Sequence, residues 1–201
     1  RSGSMTFPRF AGVAALLLLV PTVAPAQSGQ VAIVISTERG EIRAVLDSAR
    51  APITVTNFLR YVDAGLFSGG AFHRTVTPDN QPRDSVRIEV IQGRARRTTP
   101  DSGFAPIPLE RTSVTGLRHL DGVLSMARSG PNSATSAFFI TIGPQPSLDE
   151  GGHRNLDGQG FAAFGKVTAG MEVVRAIQQA PHTDQNLTPP IVITGIRRAA
   201  R

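Results

Sequence analysis

The sequence predicts a mainly β domain, a closed antiparallel barrel with helical caps. Three observations carry this. Short runs of alternating or β-branched apolar residues recur from Val31 to Ile196, punctuated by Gly, Pro and Asn. Two isolated segments, opening at Pro52 and at Met171, place apolar residues at helical spacing instead. Cysteine is absent, so the domain rests on packing alone, which suits a sheet closed on itself.

Val31 to Thr37 alternates and carries Val and Ile, a strand; Glu38-Arg39-Gly40 turns it, and Glu41 to Asp47 returns with Ile42, Ala44 and Leu46 on one face. Pro52 opens a helix where its missing N–H costs nothing. Val55, Phe58, Leu59 and Val62 recur along it, and Gly65 is the expected C-cap. Ala71 to Val76 is the next strand. A polar turn from Thr77 to Asp84 leads to a strand expected over Val86 to Gln92. Residues 93–118 form a long loop, of the kind that is functional or packed as a surface feature. Val123, Leu124 and Met126 make a strand that a polar Ser-Gly-Pro-Asn hairpin returns through Ala137-Phe138-Phe139-Ile140. A second long loop, 143–160, gives way to a strand from Phe161 to Val167. Met171, Val174 and Ile177 define the second helix, ended by Pro181, and Ile191 to Ile196 is the closing strand.

The ends and the composition narrow the class. Residues 1–4 read as a cloning scar and 5–26 as a signal peptide, with Arg9 before an apolar run from Phe10 to Val20 and Ala24-Pro25-Ala26 for cleavage. That run is shorter than the roughly 20 residues a membrane helix takes. The expectation is export to the periplasm or the medium, with no stable membrane insertion after cleavage and one domain over 27–201. The formal charge of +6 falls to about +4 without Arg1 and Arg9. Its densest run, Arg94-Ala95-Arg96-Arg97, lacks interleaved aromatics and reads as a solvated loop, so nucleic acid is not an expected partner. Without cysteine there is no disulfide, thiolate metal site or cysteine nucleophile. The four histidines, His73, His119, His153 and His182, lack the spacing of metal ligands. His73 is expected in the core. Ser125 and Ser136 come without a Gly-x-Ser-x-Gly elbow or a matching His–Asp order, and there is no phosphate or dinucleotide fingerprint.

Three segments in this order, Phe72-His73-Arg74, Gly122 to Ile142 and Gly160 to Val167, resemble the cyclophilin family of peptidyl-prolyl cis–trans isomerases. The resemblance extends from about Val31 to Ile196. It implies a closed eight-stranded antiparallel barrel capped by two α-helices, proline-containing polypeptide clients, no cofactor, no metal, and a monomer. It also implies a chemistry. Amide resonance opposes rotation by about 18–20 kcal/mol, and X–Pro exchange takes tens of seconds uncatalysed. A groove that holds the proline ring, with a cation to take the prolyl nitrogen's lone pair as it pyramidalises, favours the twisted state over the planar one. By the resemblance Arg74 is that cation, Gln92 holds the substrate carbonyl and Phe139 is the apolar floor. Val90, Ala127, Arg128, Ala137 and Leu156 would line the substrate groove, with Met126 and Phe138 in the core.

Several positions depart from the family pattern. Glu89 stands where a pocket phenylalanine is expected, Val90 for a methionine, Ala137 for a glutamine, Asn155 for a tryptophan, and Gly160 or Phe161 for a histidine. The expected consequences are a shallower pocket, weak binding of the family's cyclic-peptide drug, and reduced or altered activity. The same features leave open a catalytically weak binding or chaperone module. A third possibility is a protein that binds acidic surfaces through the arginines of Arg94 to Arg111.

Overall fold

Alternation of apolar side chains makes the first hairpin: β1 (Gln30–Thr37) pairs antiparallel with β2 (Gly40–Asp47), burying Ile33, Ile35, Ile42, Ala44 and Leu46. The computed structural model describes residues 29–82, 84–96 and 103–199 together with Gly3, so the expectations for the scar and the signal peptide lie outside the described residues. After the hairpin, α1 (Pro52–Asp63) starts on proline. Its first amides are capped from afar: Glu110 accepts from the N–H groups of Ile53 at 3.1 Å and Thr54 at 2.7 Å. At the other end Gly65 takes φ +66°. There Gly65 N–H reaches the Val62 carbonyl and Leu66 N–H the Tyr61 carbonyl, closing the helix as a Schellman turn.

The remaining strands are β3 (Gly70–Val76), β4 (Val90–Arg94), β5 (Val123–Met126), β6 (Phe138–Thr141), β7 (Ala162–Ala169), β8 (His182–Thr183) and β9 (Asn186–Arg198). Their order is β1-β2-β7-β5-β6-β4-β3-β9, and β9 pairs back onto β1 to close an eight-stranded antiparallel barrel, with β8 a short hairpin partner of β9. Inside, Phe58 of α1 lies against Phe67, Phe138 and Phe164 with ring centroids 5.0–5.4 Å apart. Aromatic pairs at such spacings add about 0.5–1.5 kcal/mol each beyond their buried area. The second predicted helix is present over Met171–Gln178, with Val174 and Ile177 in the same core. Met126 and Phe138 are core residues as expected.

The structure corrects several boundaries. A four-residue helix, α2 (Thr112–Thr115), lies in the 93–118 segment, so the helix over Met171–Gln178 is the third, α3. That segment is packed down by Glu110 and by an isolated bridge from Ile107 to Ala134. The strand expected from Val86 begins only at Val90. The Gln81 side chain replaces a strand partner there: its amide donates to the Ile88 carbonyl at 2.8 Å and its oxygen accepts from Ile88 N–H at 3.1 Å. The closing strand is longer than Ile191 to Ile196, because the β8–β9 hairpin extends it back to Asn186. Arg94 and Arg96 are exposed. No helix among the described residues is long and apolar enough to cross a membrane.

Candidate functional site

A β-bulge creates the site. On β3, Phe72 points into the core, and simple alternation would send Arg74 the same way. The register of β3 with both neighbours shifts between Phe72 and Arg74, leaving His73 as the extra residue. Arg74 is thereby turned to the outer face, directly opposite Gln92, and Gln92 is in turn opposite Phe139 on β6. His73 is consequently not a core histidine. It is half-buried at the bulge with Nδ1 unpartnered, and burial, with Arg94 nearby, lowers its pKa.

On this outer face Val76, Ile88, Val90, Phe139 and Leu148 form a second apolar cluster, separate from the barrel core, with Ala127 and Phe161 packed against it. Above the cluster lies a cavity of about 350 Å³ bordered by Arg74, Gln92, Val90, Ala127, Arg128 and Phe139. Ile88, Leu148, Phe161, Asp84, Arg154 and Asn155 complete its lining.

The Arg74 guanidinium is held by neutral acceptors. Nη1 donates to Gln92 Oε1 at 2.9 Å, while Nε at 2.9 Å and Nη2 at 2.5 Å both donate to Gln185 Oε1. Burial lowers its pKa from the ordinary arginine value, and the charge of Arg154 adds to this. It stays protonated, since arginine does not titrate in proteins. Gln185 is itself fixed, its amide donating to the Asn80 carbonyl at 3.1 Å and its own carbonyl accepting from Thr75 N–H at 2.9 Å. No carboxylate among the described residues is bonded to the guanidinium; Asp84, whose charge reaches it, is paired with Arg154, so the cation is left without an ion-pair partner of its own.

Two loops meet across the cavity. Arg154, from 143–160, donates to the Val86 carbonyl at 2.7 Å and pairs with Asp84 at 3.0 Å. Arg128 makes a bidentate pair with Asp157 at 2.7 and 2.9 Å, bonds the Gly160 carbonyl at 2.8 Å, and lies 5.2 Å from the Phe161 ring. The Arg128 bonds hold the Asp157 carboxyl down at about 2.

The sequence-predicted site residues divide accordingly. Arg74, Gln92, Phe139, Val90, Ala127 and Arg128 come together around one cavity. Ala137 does not line it; its carbonyl accepts from Ala127 N–H at 2.9 Å. Leu156 is fully exposed and stands outside. The apolar wall is Leu148, buried by the 3-10 turn Pro146–Leu148, so the Leu-Asp pair that packs is Leu148-Asp149 and not Leu156-Asp157. Glu89 also leaves the pocket: it turns to α3 and accepts from Gln178 Nε2 at 3.1 Å. Ile88 provides the wall in its place, and Phe161 stands edge-on to Phe139 at 5.3 Å and 90°, an aromatic wall the sequence reading left unassigned.

Comparison with known proteins gives the family and the fold. The family model described as "Cyclophilin type peptidyl-prolyl cis-trans isomerase/CLD" matches residues 32–198. Peptidyl-prolyl cis-trans isomerase A of Dickeya dadantii is 35% identical over 167 residues, covering 80% of this chain and 80% of the relative. Peptidyl-prolyl cis-trans isomerase cyp18 of Streptomyces antibioticus is 37% identical over 145 residues, 72% of this chain and 81% of its own. In fold, the chain is similar to a cyclophilin-type isomerase of Cryptosporidium parvum, with TM-score 0.69 at 23% identity over 86% of this chain and 99% of that one.

Proposed function

This chain belongs to the cyclophilin-type peptidyl-prolyl cis–trans isomerases, and we propose that it turns X–Pro bonds of exported polypeptides through Arg74, Gln92 and Phe139. The observation that carries the residue roles is the clamped, un-neutralised guanidinium of Arg74 at the rim of a cavity floored by Phe139.

The reaction needs neither nucleophile nor metal. A proline ring seated on Phe139 is held by apolar contact with Val90, Ile88, Leu148 and Phe161. The Gln92 oxygen orients Arg74, and its Nε2 is left to donate to a substrate carbonyl. As the C–N bond twists, resonance is lost and the prolyl nitrogen regains a lone pair, to which Arg74 donates. The planar amide offers no such acceptor, so the interaction is made in the transition state only and accelerates the step. Each tenfold takes about 1.4 kcal/mol of that difference. Glu89 lies outside the cavity and Phe161 lines it, which favours an active enzyme over a degraded binding module.

Export is supported by the leader-like segment 5–26. On this view the enzyme works as a monomer on envelope or secreted clients that reach their compartment with prolines still equilibrating. Two experiments test the proposal. Cis–trans exchange of a short X–Pro peptide, measured by NMR, is expected to rise well above background with the protein and to fall most of the way back with Arg74→Ala. Exchange at background across several residues before proline would refute it. N-terminal sequencing of the protein from fractionated cells is expected to give Gln27 in the exported fraction, and an intact Met5 in the cytoplasm would refute export.

A further inference from the structure

Behind the cavity floor lies a second layer of residues that the isomerase chemistry does not use. Ser125 on β5 is the direct cross-strand partner of Phe139, so both side chains leave the sheet on the same outer face. His119, from the segment between α2 and β5, fills the space beside them. Its ring lies 6.0 Å from that of Phe139, centroid to centroid, and is inclined by only 18°. Nδ1 is 2.7 Å from Asp149 Oδ1 and Nε2 is 2.9 Å from Ser125 Oγ. The backbone is fixed as well: His119 N–H donates to Asp149 Oδ1 at 3.1 Å and its carbonyl accepts from Gln145 N–H at 2.7 Å. Burial alone would raise the Asp149 carboxyl, but the bonds from the His119 side chain and backbone, with Arg118 behind, hold it below the ordinary value. An ionised carboxylate only accepts, so Nδ1 carries a proton and donates to Asp149, while Nε2 is hydrogen-bonded to the Ser125 hydroxyl.

Asp, His and Ser joined through these atoms have the connectivity of an acyl-transfer triad. Burial excludes that use, because Ser125 is 0% exposed and His119 1%, and no acyl group can reach Oγ. The chain of bonds instead gives the imidazole a single orientation. Phe139 also meets Phe161 edge-on, so the floor ring packs against two others.

We propose that His119 is a positioning residue for prolyl isomerisation: Asp149 and Ser125 fix the plane of its imidazole, and the imidazole fixes the plane of Phe139 under the proline ring. The same bonds anchor Asp149, next to the wall residue Leu148, and so place wall and floor together. The inference rests on Phe139 being the floor. A floor packs equally against planar and twisted proline, so loosening it weakens ground state and transition state alike; KM rises and kcat does not move.

The test is kcat and KM from peptide-concentration series of NMR exchange rates. His119→Phe keeps a ring and removes both side-chain bonds, and is expected to raise KM three- to tenfold with kcat within twofold. Asp149→Ala should do the same, while Asp149→Asn, whose Oδ1 still accepts from Nδ1–H, should restore most of the affinity. With ¹⁵N-labelled histidine, the His119 Nδ1–H resonance should be slow to exchange in the wild type and lost in Asp149→Ala. Should His119→Phe fail to fold, Ser125→Ala, which removes one bond only, supplies the reading with a smaller rise in KM. Phe139→Ala serves as reference. If it raises KM and folded His119→Phe or Ser125→Ala does not, the positioning role is overturned alone. If Phe139→Ala leaves KM unchanged, the floor assignment falls and the positioning role with it. A loss confined to kcat in the His119 variant also overturns it.

Discussion

Replacing Gln185 with alanine should slow the enzyme without touching its cavity. Gln185 does not border the floor; its single oxygen accepts from both Nε and Nη2 of Arg74. Each hydrogen bond to a charged group is worth about 1.5–3 kcal/mol. Arg74 is only half-buried, so water replaces part of what is lost, and the net cost to aiming the cation is about 1.5–2 kcal/mol. At 1.36 kcal/mol per tenfold that is a 10- to 30-fold fall in kcat. KM should hardly move, because the Phe139 floor and its walls are untouched. Saturation of the NMR exchange rate separates the two constants, and Gln185→Glu, which keeps an acceptor at the same place but lays a carboxylate on the guanidinium, should not restore the full rate. An unchanged kcat in folded Gln185→Ala would refute the idea that the glutamine clamp aims the guanidinium.

Three further outcomes are expected. Leu148→Ala removes a buried side chain and should cost about 2–5 kcal/mol of stability in denaturant melts, with a raised KM; Leu156→Ala should stay within about 0.5 kcal/mol and leave KM alone, and the opposite ranking would sink the wall assignment. Glu110→Ala uncaps α1 and should lower stability by about 0.5–2 kcal/mol, seen as a shifted midpoint at unchanged slope; no shift would mean that water caps the helix as well. The Asp157 carboxyl is held at about 2, below its unfolded value. The stabilisation from its pair with Arg128 is therefore complete above the ordinary aspartate range and is lost as pH falls through about 2. A carboxyl ¹³C titration should place its midpoint there, and a midpoint near 4 would refute the bidentate pair in solution.

Much of the barrel was legible because its strands alternate: Ile33 and Ile35, or Ile42, Ala44 and Leu46, declare a buried face within a few residues. Pro52 and Gly65 mark α1 as clearly, one by its missing donor and the other by its left-handed backbone. Of the candidate site, the family resemblance points to Arg74, Gln92 and Phe139, which border one cavity. The site was illegible where distance along the chain matters. Residues 147–158 contain the Leu-Asp dipeptide twice, and only the turn that packs Leu148 beneath Phe139 says which one is structural. His119 and Asp149 are thirty residues apart, so nothing in their spacing announces a bond. The family pattern alone puts Glu89 in the pocket; plain alternation with Val90 and Gln92 puts Ile88 on the cavity face and Glu89 on the other, as the structure has it.

The closing seam has a consequence for how the protein comes into being. β9 is laid between β1 and β3, and Gln185, half of the hold on Arg74, immediately precedes it. Synthesis delivers β1 first and β9 after the other strands. Until that final strand emerges, the sheet is an open ribbon with two unpaired rims, and Arg74 has lost its second tether. The barrel and the second hold on Arg74 are therefore completed by one and the same strand and its lead-in.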